Sequence, residues 1–507
     1  MSTRTLIGTD AETLVLNQIH QHTAGIGESL SVFSARSAVS AWIEVLRGVE
    51  ELINIPRFEL EDKHQVHALL SLRMDDLFPL QVESIKNMLT HRFDSGIAQR
   101  FVHTLLRSAA IGKVFQSSTL VDAKNLRTLA DVIDYFHSRK RQMLALLYWM
   151  PKACSGSETV EAYDALNIFL PIVEHSCVSL SSLYRDLVLL RVYDDFTLTV
   201  SNGWCIRSHS YDVLDSSSLE PERMGITEVS QDSVNLSILE NRMRVDARRV
   251  FSVPELCNEL LAMEATYAEF KLGGTEFGAM CKFVVTCAQY AKDDYYIELN
   301  ADEFSQLMTL CQLSVTAQRQ LVYAGKDYAA AINSFAPFVA LDGALVTTVT
   351  LLSRFAYNYK TVCLNKIKRF QIRSGFIFER QVKEALAEQE FIVLDVKRID
   401  HKEFDVIATN DGVIYNVQCK NNLVDITRIE ENPSLFSRYN KRLVRYYEKA
   451  LLKEEGREAL LKKKLGLQSV KNVVVSKFPV ATKNPGILAF REISRFSLRF
   501  SGSAMTS

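Results

Sequence analysis

Three polar side chains, Asp405, Gln418 and Lys420, lie within two apolar runs in the last third of the chain. Asp405 belongs to the run 403–408, and the other two end the run 413–420. Carboxylate and amide oxygens are hard ligands of the kind that Mg²⁺ prefers. A lysine beside them would place positive charge where a reacting phosphate gains negative charge. Together, these residue types can form a Mg²⁺-dependent site that cleaves phosphodiester bonds.

The two runs are predicted to be neighbouring β-strands, because the Asp-Gly pair at 411–412 between them favours a tight turn. Side chains alternate between the faces of a strand, so Gln418 and Lys420 share one face. Asp405 has apolar neighbours on both sides, and burying its carboxylate is costly unless a cation or a donor compensates it. A salt bridge to Lys420 is one explanation, and it leaves Gln418 and the upstream Glu379 without a role.

The elements around these residues follow from the spacing of the apolar side chains. A helix is predicted over 374–390, with Phe378, Val382 and Leu386 on one side and Glu379 beside them. The elements predicted after it are strands at 391–396, 403–408 and 413–419, helices at 433–452 and 454–465, a strand at 472–476, and two short strands at 486–490 and 496–500. The order α-β-β-β-α-β predicts an α/β domain with a mixed central sheet.

The order Gly375, Phe378-Glu379, Phe404-Asp405 and Gln418-Cys419-Lys420 resembles the PD-(D/E)XK nuclease superfamily. It is most similar to Mrr-type restriction endonucleases and nuclease-related domains, a branch in which Gln can replace the acid before X-Lys. The resemblance covers the part of the chain from about residue 375 to residue 500, roughly a quarter of its length. It implies a restriction-endonuclease-like fold for this part.

The resemblance also implies a role for each matched residue. Asp405 would be the principal ligand of Mg²⁺ or Mn²⁺, with Gln418 and the backbone carbonyl of Cys419 as further oxygen ligands. Glu379 would support the metal or its water, and Lys420 would orient or deprotonate the attacking water. Because Gln418 stands where the family usually has an acid, the site holds one negative charge fewer, and we expect weaker metal binding.

The helix predicted at 433–452 carries a basic stripe next to this site. Five cations recur there at spacings of three and four residues, namely Arg438, Lys441, Arg442, Arg445 and Lys449. The tyrosines Tyr439, Tyr446 and Tyr447 alternate with them and are predicted to belong to the apolar side of the helix. Such a stripe suits the phosphate backbone of a nucleic acid. A solvated basic helix face is the alternative interpretation.

Charge is divided unevenly along the chain, whose net charge is −1. From residue 361 onward there are 27 Lys and Arg against 17 Asp and Glu, whereas the preceding part has 32 against 43. A basic region next to a site for phosphodiester chemistry predicts a nucleic acid as the partner, and we expect DNA. A basic domain that docks on an acidic one is the other explanation of this asymmetry.

Composition bounds the class of protein. A chain of 507 residues is too long for one ordinary core, and 47% apolar and 23% charged residues are typical of soluble globular proteins. Nine cysteines without CxxC or zinc-like spacing predict reduced thiols, and hence a cytoplasmic protein, or a nuclear one in a eukaryote. The first residues lack the apolar core of a signal peptide, so secretion is not expected.

One apolar segment, 333–352, is long enough to resemble a membrane span. Pro337 and Asp342 inside it favour a buried helix pair instead.

Four regions are predicted along the chain. Residues 1–209 form a helical region with a β-hairpin near 196–207, whose turn is indicated by Asn-Gly at 202–203. Residues 210–235 are a linker or loop, and 236–370 form a second helical region. The nuclease-like domain covers 371–507. The helix that precedes the hairpin leaves a DNA-binding winged helix as an alternative for the first region.

The expected function is therefore a metal-dependent endonuclease in defence or nucleic-acid processing. The helical regions would recognise the substrate, sense a trigger or bind a protein partner. Cleavage of both strands of a duplex needs a second active site, which is the argument for a homodimer. The alternative is a catalytically inactive nuclease-like domain that serves as a nucleic-acid-binding or protein-interaction module, and Gln418 leaves that alternative open.

Overall fold

The computed structural model describes residues 4–116, 126–201, 204–208, 234–422 and 429–500. About 62% of the structure is helical, with a helical N-terminal region and a C-terminal region that contains a mixed sheet. This confirms the coarse fold class predicted above. Nearly all of the predicted linker at 210–235, and the predicted turn at 202–203, lie outside the described residues.

Eight helices and one small sheet make up the first region in the described residues. The helices are α1 (Gly8–Leu30), α2 (Ala35–Asn54), α3 (Lys63–Leu70), α4 (Pro79–Arg92), α5 (Ser95–Gln116), α6 (Leu129–Ala153), α7 (Ala162–Ile172) and α8 (Val178–Val192), with π-helical turns at Ile55–Glu59 and Val173–Cys177. Strands β1 (Arg4–Ile7), β2 (Thr197–Ser201) and β3 (Trp204–Arg207) pair antiparallel in the order β1-β2-β3. The hairpin is as predicted, whereas β1 was expected to be helical.

The second region combines seven helices with a three-stranded sheet. The helices are α9 (Leu236–Leu239), α10 (Val253–Thr266), α11 (Glu276–Ala288), α12 (Ala301–Leu310), α13 (Val315–Gln318), α14 (Tyr328–Ile332) and α15 (Val349–Leu364). The strands are β4 (Tyr296–Asn300), β5 (Val339–Leu341) and β6 (Ala344–Thr348), in the order β4-β6-β5. The helix pair predicted at 333–352 is therefore wrong. Asp342 and Gly343 both have positive φ and close a tight hairpin there.

These two regions share one hydrophobic core. A single cluster of buried apolar side chains extends from Ile26 in α1 to Phe370, and Trp42, Phe169 and Phe283 are among its members. Local signals position its helices: Ser252 accepts a hydrogen bond from the Glu255 backbone in a capping box at the start of α10. The helical stretch Ala162–Val192 is long and apolar enough to cross a membrane, and 56% of its most apolar window is buried in the fold. A helix in the core of a globular protein meets the same criterion, so this stretch is weak grounds for a membrane span.

The C-terminal region is built on a five-stranded mixed sheet. Its elements are α16 (Lys368–Ala387), β7 (Ile392–Leu394), β8 (Arg398–Ile399), β9 (Lys402–Glu403), β10 (Val406–Asn410), β11 (Val413–Lys420), α17 (Pro433–Glu455), α18 (Glu458–Leu465), β12 (Ser469–Ser476), β13 (Ile487–Ala489) and α19 (Phe496–Phe500). The strand order is β13-β12-β11-β10-β7. The pairs β11–β12 and β12–β13 are parallel, and the other two pairs are antiparallel. Strands β8 and β9 form a separate two-stranded ribbon.

Two predicted strands of this region need correction. The run 403–408 is divided, because Glu403 ends the ribbon with β8 and Val406 begins β10 in the main sheet. Phe404 and Asp405 between them belong to neither strand. Residues 496–500 form a helix, α19, and its Phe496 and Phe500 pack into the core between the sheet and α16.

The sheet has an apolar layer on each face. On one face, Phe378, Val382 and Leu386 of α16 pack against side chains that include Val406 and Val417. On the other face, α17 contributes side chains that include Leu443 and Tyr447 to the layer that holds Val474 and Ile487, and Leu461 of α18 packs with Ile407 and Ile414. This arrangement encloses β11, the strand that ends in Gln418 and Lys420, between α16 and α17.

The helical body and the C-terminal region are in direct contact. Val188 of α8 packs in the same apolar cluster as Tyr447 of α17. Arg141 of α6 makes a buried ion pair with Glu430, with 3.2 Å between Nη2 and Oε2, and both side chains are less than 5% exposed. The position of α17 is therefore fixed from the helical side as well as from the sheet.

Candidate active site

Asp405 lies directly before β10, where the strand meets the end of β11. Val406 pairs with Val417, so the next position in the register places Asp405 opposite Gln418. Its Oδ2 accepts a hydrogen bond of 2.8 Å from the backbone N–H of Cys419. Burial raises the pKa of Asp405, and the nearby Lys420 ammonium opposes that shift without cancelling it. The carboxylate is thus held in a fixed place, in surroundings that favour an added positive charge.

Gln418 is 8% exposed and points to the same site. Its Oε1 accepts a hydrogen bond of 3.2 Å from Nζ of Lys420. Its Nε2 is buried and has no hydrogen-bond partner among the described residues. A buried donor without a partner costs about 1–3 kcal/mol. The amide at this position is therefore poorly explained by stability of the fold alone.

Glu379 of α16 is half-buried and lies within electrostatic reach of Asp405. Its pKa is raised to about 7, first by burial and then by the Asp405 carboxylate, while Lys383, Lys397 and Lys420 act in the opposite direction. A half-buried carboxyl group whose pKa is raised by a neighbouring carboxylate marks a place where a cation would be favoured. The structure thus brings together Asp405, Gln418, Lys420 and Glu379, the four side chains expected to act.

The raised pKa of Glu379 predicts a pH-dependent stability. Between pH 4.5 and 7 the folded protein retains a proton that the unfolded chain has released, so this group lowers stability as pH rises through that window. Glu379→Gln removes the effect. Without divalent metal we expect the variant to gain about 1 kcal/mol over the wild type at pH 8, after allowing for solvent screening, and nothing at pH 4.

Thermal unfolding in EDTA at these two pH values measures the difference. Glu384→Gln on the same helix is the matched control, because the Glu384 side chain is 64% exposed, and it should change stability equally little at both pH values. In saturating Mg²⁺ the order at pH 8 should reverse, since a bound cation takes the place of the proton. A Glu379→Gln variant that loses stability at pH 8 in EDTA would contradict the electrostatic picture.

Three lysines that the sequence interpretation did not single out surround the two carboxylates. Lys383 and Lys397 lower the pKa of Glu379, and Lys453 lowers the pKa of Asp405. Lys383 follows Glu379 by one helical turn, and this spacing in the sequence indicates that the two side chains are neighbours on the helix. Lys453 continues the four-residue spacing of the basic stripe on α17, which was predicted to end at Lys449. The site is therefore more positive than the four predicted residues indicate.

The basic stripe itself is on the outside of α17. Arg438, Lys441, Arg442, Arg445 and Lys449 are all exposed, and none makes an ion pair with a residue that the structure describes. The Arg442 guanidinium lies 5.2 Å from the centre of the Tyr439 ring. Cations that make no ion pair within the described residues are available to an external anion. This is the electrostatic pattern expected of a phosphate-binding surface.

The oxygen atoms at the site suit Mg²⁺ or Mn²⁺. Asp405 and Glu379 supply carboxylates, Gln418 supplies an amide oxygen, and the carbonyl of Cys419 lies beside them on β11. Within the described residues there is no group of three or more His, Cys, Asp and Glu side chains that could hold a metal ion. A site with two carboxylates leaves several positions to water, which Mg²⁺ accepts more readily than most metals do.

The winged-helix alternative finds little support in the placement of α8. Its buried residues include Leu183, Leu187 and Leu189, and Nη2 of Arg191 donates to Oε1 of Glu12 at 2.6 Å. The helix is thus largely occupied by the protein's own contacts.

Comparisons of the chain with protein-family models, with curated proteins and with solved structures found no match. A functional assignment therefore depends on the geometry and electrostatics of the residues around Asp405.

Proposed function

We propose that this protein is a Mg²⁺- or Mn²⁺-dependent nuclease that hydrolyses phosphodiester bonds, with DNA as the expected substrate. In this proposal residues 371–507 form a PD-(D/E)XK-like domain related to restriction endonucleases. The observation that carries the proposal is the convergence of Glu379, Asp405 and Lys420 at one end of the mixed sheet. The element order, a helix, strands β7, β10 and β11, a helix and β12, supports the same assignment.

Each residue has a task that its surroundings support. Asp405, held by the Cys419 N–H, offers a fixed carboxylate oxygen to the cation, and Glu379 offers a second. Lys420 places its ammonium beside Gln418, where it can stabilise negative charge that develops on the phosphate. Glu379 would also support the metal-bound water, and Lys420 would orient or deprotonate that water. The metal, when bound, polarises the phosphate and lowers the pKa of its water.

The direct test is incubation of the full chain with plasmid DNA, linear duplex, single-stranded DNA and RNA. Each substrate is assayed with Mg²⁺, with Mn²⁺ and with EDTA. The proposal expects nicking or degradation of at least one DNA substrate with metal and none with EDTA. Absence of metal-dependent cleavage on all four substrates would reject it.

Gln418→Glu tests the unusual position of the site. The change adds a negative charge beside Lys420 and completes the acidic set that the family usually has, so metal should bind more tightly. We expect the Mg²⁺ concentration for half-maximal cleavage to fall about tenfold, which corresponds to about 1.4 kcal/mol. A Mg²⁺ titration of the cleavage rate measures this change. Gln468→Glu is the matched control, because it adds the same charge at an exposed position directly before β12, at the end of β11 and β12 opposite to the site, and it should leave the titration unchanged.

The second candidate function is a nuclease-like domain that binds nucleic acid without cleaving it. The neutral Gln418, with its unpartnered Nε2, is the observation that favours it. A binder of this kind would show no metal-dependent cleavage but would keep an affinity that falls steeply with salt. If Gln418→Glu then confers cleavage on an inactive wild type, the fold is that of a nuclease and Gln418 is the cause of inactivity.

The helical regions enter the proposal as a scaffold that holds α17. Their shared core and the buried ion pair between Arg141 and Glu430 fix that helix beside the site. Recognition of a trigger or of a protein partner by these regions, a role in defence or nucleic-acid processing, and a homodimer for cleavage of both strands remain parts of the hypothesis. A cytoplasmic or nuclear location agrees with the nine free cysteines of the structure.

A further inference from the structure

One side of α17 carries two tyrosines and three basic residues. Tyr439, Arg442, Tyr446, Lys449 and Lys453 recur at spacings of three and four residues and so lie along one flank of the helix. We call these five residues the α17 flank. Tyr446 was expected on the apolar side, but 51% of it is exposed. The three cations are exposed and make no ion pair with a described residue.

The C-terminal end of this flank is fixed at the candidate active site. Glu454, the neighbour of Lys453, is 1% exposed and accepts a hydrogen bond of 3.1 Å from the Asn416 amide in β11. Arg457, one turn further, donates to the backbone carbonyl of Glu403 at 3.3 Å. Asn416 and Glu403 are each two residues from the site residues Gln418 and Asp405. Lys453 therefore stands next to the site, and the flank leads away from it.

The dimensions of the flank suit a short stretch of nucleic acid. From Tyr439 to Tyr446, and again from Tyr446 to Lys453, the helix rises about 10 Å. Each interval corresponds to about three nucleotides of a stacked strand, which rises about 3.4 Å per nucleotide. Cations at Arg442 and Lys449 fall between these points. The exposed ring of Tyr446 thus lies between cations at a spacing that the phosphates of a strand can match.

An exposed tyrosine ring among cations that make no ion pair with a described residue would bind single-stranded nucleic acid more tightly than a duplex. In a duplex the faces of the bases are stacked on each other, so a protein side chain reaches phosphates and base edges only. In a single strand each base offers a free face, and stacking on an aromatic side chain contributes about 1–3 kcal/mol per base. A duplex would use Arg442, Lys449 and Lys453 but would gain nothing from the ring of Tyr446.

We propose that the α17 flank binds single-stranded nucleic acid, with bases stacked on Tyr446 and phosphates on Arg442, Lys449 and Lys453, and that it guides an unpaired strand to Asp405. This inference rests on the proposed nuclease function only for its last step, delivery to the site. Stacking on the flank is a binding property that exists without metal. The preferred substrate of the proposed nuclease is accordingly a single strand or an unpaired end.

The test measures binding of the full chain to a fluorescent oligonucleotide in EDTA, so that no cleavage occurs. A single strand of mixed sequence is compared with the same sequence as a duplex. Tyr446→Ala should weaken binding of the single strand about tenfold and leave the duplex affinity unchanged. Tyr446→Phe should retain wild-type affinity because it keeps the ring. Tyr290→Ala is the matched control, since Tyr290 is also exposed but lies in the helical body.

A charge series completes the design. Lys453→Gln should weaken both substrates several-fold, and Lys463→Gln, an exposed lysine on α18, should have a smaller effect. Equal loss on single strand and duplex from Tyr446→Ala, or no loss on either, would overturn the stacking proposal whatever the cleavage assay shows. If Tyr446→Ala weakens binding of the single strand alone while no substrate is cleaved, the stacking proposal is supported and only the proposed nuclease function is rejected.

Discussion

Asp405→Asn is expected to lower metal-dependent cleavage by about 1,000-fold or more, to the limit of detection in a plasmid assay. The substitution removes the negative charge that a cation needs but keeps an oxygen that can accept the hydrogen bond from the Cys419 N–H. Folding should therefore be preserved, and the neutral side chain even relieves the burial of a carboxylate whose pKa is raised. Cleavage and thermal stability, measured on the same preparation, separate the two effects.

The matched control is Asp411→Asn in the turn of the same hairpin. Asp411 has positive φ, a conformation that Asn adopts readily, and it lies at the opposite end of β10 and β11 from the site. It should retain full cleavage. Lys420→Met should lose activity to a similar extent as Asp405→Asn, because it removes the ammonium that lies 3.2 Å from Gln418 Oε1. Cleavage that survives both substitutions would place the active site elsewhere.

The sheet of the C-terminal region was predictable because its signals are local. The run 413–419 and the turn at 411–412 carry alternation and turn residues, and the observed strand Val413–Lys420 differs by one residue. The break at Phe404 and Asp405 was not predictable, since both residues lie in a run whose other members are mostly apolar. It arises from tertiary structure: the Phe404 N–H donates to the Lys397 carbonyl, and its ring packs on Leu461 of α18.

Errors elsewhere have the same physical origin. Strand β1 exists because it pairs with β2, almost 200 residues later in the chain, and no local pattern reports such a partner. The segment 496–500 alternates Phe, Leu and Phe like a strand, but a helix lets Phe496 and Phe500 enter the core together at a four-residue spacing. The hairpin that ends in Thr348 is an error of another kind, because its turn, Asp-Gly at 342–343, is the same local signal as the turn at 411–412.

The candidate site also has a part that the sequence predicts and a part that depends on tertiary structure. Alternation along β11 placed Gln418 and Lys420 together, and the hairpin register brought Asp405 opposite them. The proximity of Glu379 followed only from the resemblance, because the packing of α16 across the sheet is a tertiary property. Lys453 and the exposure of Tyr446 were missed because α17 was expected to end earlier and to bury a wider face. The residues of the candidate site were thus visible in the sequence, and the exposed flank of α17 was not.

The fixed position of α17 links the helical body to the proposed function. The helix lies on the sheet through Leu443 and Tyr447, meets α8 through Val188, and begins three residues after Glu430. A helix held from both sides keeps its flank in one orientation relative to Asp405. The helical body would then act on the site through the ion pair between Arg141 and Glu430. Weakening that ion pair should destabilise α17 before the sheet is affected.

Arg141→Met is expected to lower the free energy of unfolding by about 3–5 kcal/mol, because it leaves the Glu430 carboxylate buried without its partner. Arg141 also donates to the Ile332 carbonyl at 3.0 Å and to Oδ1 of Asn333 at 2.7 Å, so three acceptors lose a donor at once. Denaturant unfolding measures the total effect, and hydrogen exchange of α17 shows whether that helix is released first.

Two further variants make this expectation specific. Arg369→Met removes an ion pair of similar length, 2.8 Å to Glu269, but the Arg369 side chain is 69% exposed, so the loss should be below about 1 kcal/mol. Combining Arg141→Met with Glu430→Met should recover part of the stability, since no buried charge is then left alone. If Arg141→Met is as mild as Arg369→Met, and exchange in α17 is unchanged, the buried pair does not fix the helix. Faster exchange confined to α17 and its neighbours, with slower cleavage at an unchanged Mg²⁺ requirement, would instead show that the helical body holds α17 in place.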